Sequence, residues 1–296
     1  MLSTLFSYVF NALPMVSYII MLSFALNFVL YIAGRVSLTF AGVYLVGAYV
    51  TVSLGRSLLG TGFSFPIFLA ILFAVSLLGA AISIIVYGGF ERFLKTDVHR
   101  MIATASLLVV FSGLIKLIWG TTPVTYSAPF LKMGSTEILG NVVPNYYFFI
   151  FGFALALMLA IAYFLYRTSW GLQFRASSLD GDRTMAQSCG VNQNIVTIIT
   201  FAISGMLASL AGGLYAPIAG ASYGIEGNAL LLAALTIIIG GVGSIAGAVL
   251  TAFIIGIARV VTAVEVPLLE LAIPFIIASI TLMIRPFGIW GKEFKH

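Results

Sequence analysis

The chain has 296 residues, of which 61% are hydrophobic and 8% charged, with a single cysteine and a formal net charge of +5. A soluble domain carries about 25% charged residues to wet its surface, so a cytosolic enzyme is excluded. A disordered chain and a disulfide-stapled secreted scaffold are excluded as well, because each needs polarity or cysteines that are missing. In a membrane protein the excess of basic residues reads as bias between loops, not as a nucleic-acid-binding face.

Apolar runs recur along the chain, and each is long enough for a helix to cross a hydrocarbon core about 30 Å thick. The first charge is Arg35. The N-terminal apolar stretch therefore lacks the basic start of a cleaved signal peptide and is expected to be retained. Candidate spans lie at 12–33, 36–54, 64–88, 101–119, 146–166, 194–215, 229–258 and 268–284. The expected fold class is all-α: a polytopic helical membrane protein of about 8 transmembrane helices with one glycine-broken segment. That segment is 229–258, interrupted by Gly240-Gly241-Val242-Gly243-Ser244-Ile245-Ala246-Gly247, where a continuous helix loses stability at each glycine. One long span, two short ones and a re-entrant pair of half-helices all fit.

Basic residues set the orientation. Loop 89–100 holds Arg92, Lys95 and Arg100; loop 167–193 holds Arg167, Arg175 and Arg183; the tail holds Arg285, Lys292 and Lys295. Loop 120–145 has only Lys132, and 216–228 has no basic residue. The first three segments and the C-terminus are expected in the cytoplasm, the other two loops outside, and the N-terminus outside if 36–54 spans fully. No loop reaches the roughly 50 residues of a domain, so residues 1–296 are expected to form a single transmembrane domain.

Enzyme chemistry is missing. His99 and His296 lie in a basic loop and at the last residue, so no set of metal ligands and no catalytic residue is expected. Gly291-Lys292 is followed by Glu293 instead of Ser or Thr, so there is no phosphate-binding loop. Lys116, one turn from Trp119-Gly120, is expected to snorkel to the interface. Glu265 and Glu270 flank Pro267 and are expected at a wet helix end. An ion-coupled secondary carrier, the rival reading, would show a carboxylate or histidine at the midplane. A subunit powered by other proteins fits the missing energy source better, and a non-transport membrane subunit is the second rival.

The loop from Arg167 to Asn192 is the strongest local feature. Asp182 is placed to cap a short helix through Cys189, and Gly190 fits the left-handed position past its end. So short a helix is marginal in water and needs a surface to dock against. The pattern Thr168-x-x-Gly171-x-x-x-Arg175-Ala176 resembles the coupling loop of ABC importer permeases of the branched-chain amino acid (LIV-type) branch. That family has an acidic residue, two alanines, three variable residues and a glycine; here the positions read Thr184-Met185-Ala186 and Gly190.

The resemblance extends along most of the chain. It includes Ala33-Gly34-Arg35 leading to Gly47-Ala48-Tyr49, Glu91-Arg92, Trp119-Gly120, Thr200-Phe201-Ala202, Ala208-x-x-Ala211-Gly212, Leu214-Tyr215-Ala216, Gly240-Gly241-Val242-Gly243-Ser244, Gly247-Ala248 and Arg285-Pro286-x-Gly288 with Gly291. The family often has a histidine next to glycine early in the chain; this sequence has Thr39-Phe40-Ala41-Gly42 there.

The resemblance implies a permease subunit of an ATP-driven ABC importer in the plasma membrane, surrounded by lipid and working by alternating access. Branched-chain or other hydrophobic amino acids are the implied substrates, with urea or short amides as the alternative within the family. The implied partners are two cytoplasmic ABC ATPase subunits, a second permease subunit forming a homo- or heterodimer, and an extracytoplasmic substrate-binding protein, with no nucleic acid. ATP and Mg would be used by the partner subunits and no cofactor bound by this chain. Within the coupling loop 168–192, the residues expected to couple are Arg175, Asp180, Asp182, Arg183, Ala186 and Gly190. Candidates for the substrate pathway are Ser37, Thr39, Gly42, Gly240, Gly241, Gly243 and Ser244. The glycine segment serves close helix packing through Gly243 and Gly247, or lines a cavity with half-helix ends that bind substrate charges. Both readings stand on sequence alone.

Overall fold

The computed structural model describes residues 2–60, 62–94, 96–138, 141–179, 181, 183–286 and 288–290. In chain order the helices are α1 (Leu2–Phe28), α2 (Thr39–Leu59), α3 (Phe65–Val86), α4 (Asp97–Trp119), α5 (Ala128–Lys132), α6 (Asn145–Arg167), α7 (Ser169–Ala176), α8 (Arg183–Ser188), α9 (Gln193–Ala219), α10 (Ile225–Gly240), α11 (Ile245–Glu265) and α12 (Ile273–Ile284). Among the described residues, 7 helices are long and apolar enough to cross a membrane, and α10 and α12 are shorter apolar helices. This is an all-α polytopic membrane protein.

Local chemistry sets the boundaries. α1 continues as a π-helical turn, Val29–Ala33, which stops at Gly34 with φ 62°; a left-handed residue cannot extend the helix and glycine adopts it without steric cost. α3 likewise ends in a π-helical turn, Tyr87–Glu91. Asn192 caps α9, its side-chain oxygen accepting from the Asn194 and Ile195 amides at 3.1 and 3.3 Å. The glycine-broken segment is two helices: α10, beginning at Ile225, and α11, separated by Gly241 to Ser244. The last span is shorter than its apolar run, because Pro267–Leu269 forms a separate 3₁₀ turn. One element was not foreseen: an antiparallel hairpin of β1 (Ser135–Ile138) and β2 (Asn141–Pro144), with Ser135 opposite Pro144.

Helix α9 is the hub, and small residues let its neighbours approach. A Cβ on Gly47 of α2 would meet the Ser209 backbone of α9, and one on Gly212 of α9 would meet the Tyr44 backbone of α2. Gly79 of α3 and Gly205 of α9 stand in the same reciprocal relation. In a bilayer, where burying apolar surface gives little net gain, such close packing is what joins helices. The hydroxyl of Tyr146 fixes α6 to α9 by donating to the Leu214 carbonyl at 2.9 Å. Large apolar side chains on α4 and α6 point outward, Leu117 and Leu159 among them, as lipid-facing helices require.

Long-range contacts define two ends. At one, Arg35 lies over the Tyr87 ring, α7 packs on the end of α1, and the segment after α12 pairs with the end of α10. Arg92, Arg100, Arg167, Arg175, Arg183 and Arg285 belong to segments at this basic end. At the opposite end, Val124 bridges Ala221, Arg56 donates to the Thr125 carbonyl at 2.8 Å, and Trp119 donates to Ser53 at 3.1 Å.

Candidate functional site

The loop singled out by sequence is built against the basic end. Thr168 opens α7: its hydroxyl accepts from the Gly171 amide at 3.0 Å and donates to the Phe164 carbonyl at 2.6 Å. Gly171 lies so close to the Phe164 and Leu165 carbonyls that a Cβ would collide with them. That turn folds α7 back on α6 and buries Phe174 against Phe28 and Phe164, with ring centroids 6.0 and 5.7 Å away. Beyond it, the Leu179 amide donates to the Tyr31 carbonyl at 2.8 Å, inside the π-helical turn of α1.

Helix α8 follows. Ala186 is buried and Met185 is 67% exposed. Gly190 has φ 87°, and Val191 donates to the Ala186 carbonyl at 3.0 Å, closing the helix end. Arg183 starts α8, while Arg175 is exposed with its guanidinium 5.3 Å from the Tyr166 ring centroid. Asp180 and Asp182, including the cap expected of Asp182, lie outside the described residues. Trp170, Leu172, Leu179 and Met185 leave apolar surface exposed on this loop.

The glycine break sits beside it. The Gly243 amide donates to the Asn27 side chain at 2.7 Å, and the Tyr31 ring covers Gly243 where a Cβ would stand. Ser244 caps α11, accepting from the Gly247 amide at 2.9 Å. Gly240 and Gly247 are in backbone contact across the break. The Ile289 and Trp290 amides pair with the Ile239 and Gly240 carbonyls at 2.8 and 3.3 Å. These backbone groups at the break are therefore met by protein. A cavity of about 50 Å³ touches Asn27, Tyr31, Arg175 and Gly243.

The other pathway candidates lie elsewhere. Ser37 and Thr39 are buried, with their hydroxyls 3.4 Å apart. Gly42 on α2 receives the Phe111 ring of α4. The break thus meets α1, whereas Gly42 meets α4.

Charge inside the bundle is where sequence reasoning missed most. Arg259 of α11 is buried and holds Glu270 at 3.0 Å through Nε and 2.7 Å through Nη2, and its Nη1 donates to the Asn228 side chain at 3.3 Å. Glu265 accepts from the Tyr8 hydroxyl at 2.6 Å. Glu270 at the wet helix end, 35% exposed, is thus also one half of an ion pair whose cation is buried, a partner the sequence did not reveal. Glu226, placed by sequence in an external loop, is in the first turn of α10 and 8% exposed. An arginine within an apolar run is itself a signal for a buried partner. Lys116 lies 5.7 Å from the Tyr223 ring centroid at the end opposite the basic one. Among the described residues no group of three His, Cys, Asp or Glu is placed to hold a metal ion.

A bundle of membrane-crossing helices with a short two-helix loop folded onto its basic end defines a multi-pass membrane protein. The chain belongs to the family described as branched-chain amino acid transport system / permease component, whose model matches residues 8–282. It is an ABC transporter permease. It is 27% identical over 273 residues to the probable branched-chain amino acid transport permease protein LivH of Methanocaldococcus jannaschii, covering 85% of this chain and 81% of that protein. Identity to the high-affinity branched-chain amino acid transport system permease protein LivH of Salmonella typhimurium is 25% over 295 residues, covering 96% and 94%. Identity to the autoinducer 2 import system permease protein LsrC of Yersinia pseudotuberculosis is 32% over 192 residues, 62% of this chain; the match spans 52%, about half, of that relative. Among solved structures, PsaBC from Streptococcus pneumoniae in complex with Fab aligns over 96% of this chain and 95% of that one, with a TM-score of 0.47 and 16% identity.

Proposed function

We propose that the chain is a permease subunit of an ATP-driven importer of branched-chain or similar hydrophobic amino acids. The observation that carries the reading is the loop of α7 and α8, anchored on α1 by the Leu179 to Tyr31 hydrogen bond while Leu172 and Met185 stay exposed. An anchored loop with an uncovered apolar surface is a site for a partner. In this reading the basic end and the C-terminus face the cytoplasm. Two ATPase subunits bind the loop there and carry the ATP and Mg, a second permease completes the membrane unit, and a binding protein delivers substrate on the other side.

Closure of the ATPase pair displaces α7 and α8. The Phe174 to Phe28 contact and the Leu179 to Tyr31 bond pass the displacement to α1. α1 holds the glycine break through Asn27, so α10 and α11 move with it. Alternating access follows from that chain of contacts. Arg175, Asp180, Asp182, Arg183, Ala186 and Gly190 belong to the coupling surface. Ser37, Thr39, Gly42, Gly240, Gly241, Gly243 and Ser244 serve the helix contacts that move during transport. LsrC's identity favours one second reading, import of autoinducer 2.

The test is uptake by the assembled complex in proteoliposomes containing the chain, its companion permease, its ATPases and its binding protein. Radiolabelled L-leucine is expected to accumulate only with internal ATP. Accumulation driven by an ion gradient without ATP would contradict the proposal, and ATP-driven uptake of autoinducer 2 in place of leucine would select the second reading.

A further inference from the structure

We propose that a groove between α3, α6 and α9 binds one acyl chain of an anionic phospholipid, whose headgroup is held by Arg167 at the basic end of α6.

Helix α6 is fastened to its neighbours near its two ends and stands off between them. Near its start, Phe149 meets Phe65 of α3 edge-on, with ring centroids 5.5 Å apart, and Tyr146 donates to the Leu214 carbonyl of α9 at 2.9 Å. Near its finish, Phe164 meets Phe174 of α7 with ring centroids 5.7 Å apart. Along the stretch between lies a cavity of about 470 Å³, touched by α6 from Phe153 to Phe164. Leu72 and Ser76 of α3 and Leu207 and Leu210 of α9 form its buried floor. Phe73 and Ala160, both exposed, stand at its outer margin.

The lining decides what can fill it. Ser76 is the one polar side chain there, and its hydroxyl is already spent on the Phe73 carbonyl at 2.7 Å. Water finds no partners in such a space, and left empty it forfeits dispersion contacts along its whole wall. The filler is therefore apolar. Size separates the two apolar candidates in a bilayer, a lipid tail and a helix of another chain. At interior packing density a methylene takes about 27 Å³, so the cavity holds roughly 17 of them, the content of one acyl chain. A helix of the same length, about 10 Å across, needs about 1,200 Å³ and would bridge the groove without filling it. The length agrees: from Phe153 to Phe164 the helix rises about 16 Å, about half of a hydrocarbon core about 30 Å thick and so one leaflet.

Charge marks the end at which the headgroup sits. Arg167 is three residues past Phe164, which puts it on the same face of α6 in the last turn. It is exposed and has no ion-pair partner among the described residues. Tyr163 and Tyr166 are exposed beside it, and tyrosines at a helix end sit at headgroup level. A basic side chain at that depth attracts an anionic headgroup in preference to a zwitterionic one. Phe164 joins the site to the loop, because the ring that lines the groove also carries Phe174 of α7.

Photolabelling of the assembled complex in phosphatidylcholine nanodiscs tests the site. The probes are phosphatidylglycerol and phosphatidylcholine, each with a diazirine midway along one acyl chain, and peptide mass spectrometry locates the adducts. The phosphatidylglycerol probe is expected to label Leu157, Ile161 and Met206 in preference to outward-facing Val109 of α4. Unlabelled phosphatidylglycerol is expected to compete at the groove and not at Val109. Arg167→Gln is expected to lower groove labelling by the phosphatidylglycerol probe about fivefold, the worth of one basic side chain at an anionic headgroup, and to leave the phosphatidylcholine probe unchanged. Ala160→Phe, which fills the groove from its margin, is expected to cut groove labelling by either probe about tenfold or more, with Val109 unaffected. Wild-type labelling of the groove at no more than the Val109 level overturns the proposal without recourse to any variant. A groove that no lipid labels because a companion permease covers it is the same result. Unchanged labelling in Ala160→Phe, or an equal response of both probes to Arg167→Gln, overturns it as well.

Discussion

The Tyr31 carbonyl accepts a hydrogen bond of 2.8 Å from the Leu179 amide, so a loop between α6 and α9 is tied to the far end of α1. The same residue's ring covers Gly243 in the break between α10 and α11. Tyr31 lies in a π-helical turn, where the regular ladder is already interrupted. In the proposed mechanism it is the joint through which movement of the loop reaches α10 and α11, which the loop does not adjoin in sequence.

Tyr31→Leu removes the ring and keeps the carbonyl. The complex is expected to hydrolyse ATP at near its normal rate while leucine carried per ATP falls several-fold, and Tyr31→Trp is expected to restore most of the ratio. Parallel measurement of ATPase activity and uptake checks this; an unchanged ratio in Tyr31→Leu contradicts the role.

Met185 is exposed on α8. Met185→Asp places a charge on the surface assigned to the ATPases, at a side chain that is largely exposed. It is expected to weaken co-purification of the ATPase subunits by about tenfold, the loss of one interface anchor. Equal recovery of ATPase from wild type and variant would remove the surface from the docking site.

The α2 and α9 backbones touch at Gly212. Gly212→Val forces them apart and is expected to destabilise the fold by about 1–3 kcal/mol or more, read as lower thermal stability in detergent. Gly152 on α6 has open space at its Cβ position. Gly152→Ala is expected to leave stability unchanged or raise it by a few tenths of a kcal/mol.

Arg259 without Glu270 is a buried, unpaired cation. Glu270→Leu alone is expected to cost about 3 kcal/mol. Arg259→Met combined with Glu270→Leu is expected to recover much of that loss, because the pair is removed together. Thermal unfolding of the two variants and wild type measures the difference; equal loss in both would mean that the ion pair itself is not the stabilising contact.

Much of this architecture is legible in the sequence. Long apolar runs announce their helices because the bilayer leaves the backbone no alternative. The loop was legible through Gly171 and Gly190, whose positions follow from a carbonyl collision and a φ of 87° respectively. The break was legible from its glycines, but its two partners, Asn27 and Tyr31, were not, because nothing local marks an asparagine as the acceptor for an amide 216 residues away. Arg259 escaped because averaging over an apolar window absorbs one charge: the span Ile245–Glu265 still has a hydropathy of 2.1. Glu226 escaped because a glycine-flanked carboxylate next to a loop looks the same whether it is wet or donated to by Ser112, 114 residues earlier. The hairpin of β1 and β2 has only four residues in each strand, too few for an alternating pattern to stand out.

The central claim is that the loop of α7 and α8 docks on ATPase subunits at the cytoplasmic face. Cys189, the chain's single cysteine, is exposed just beyond α8, so it can carry a photoreactive maleimide without any substitution. Illumination of the labelled, assembled complex is predicted to join this chain to an ATPase subunit, with the yield reduced by Met185→Asp. Labelling of Cys189 by a membrane-impermeant maleimide added outside intact cells, with no adduct to an ATPase, would contradict the account.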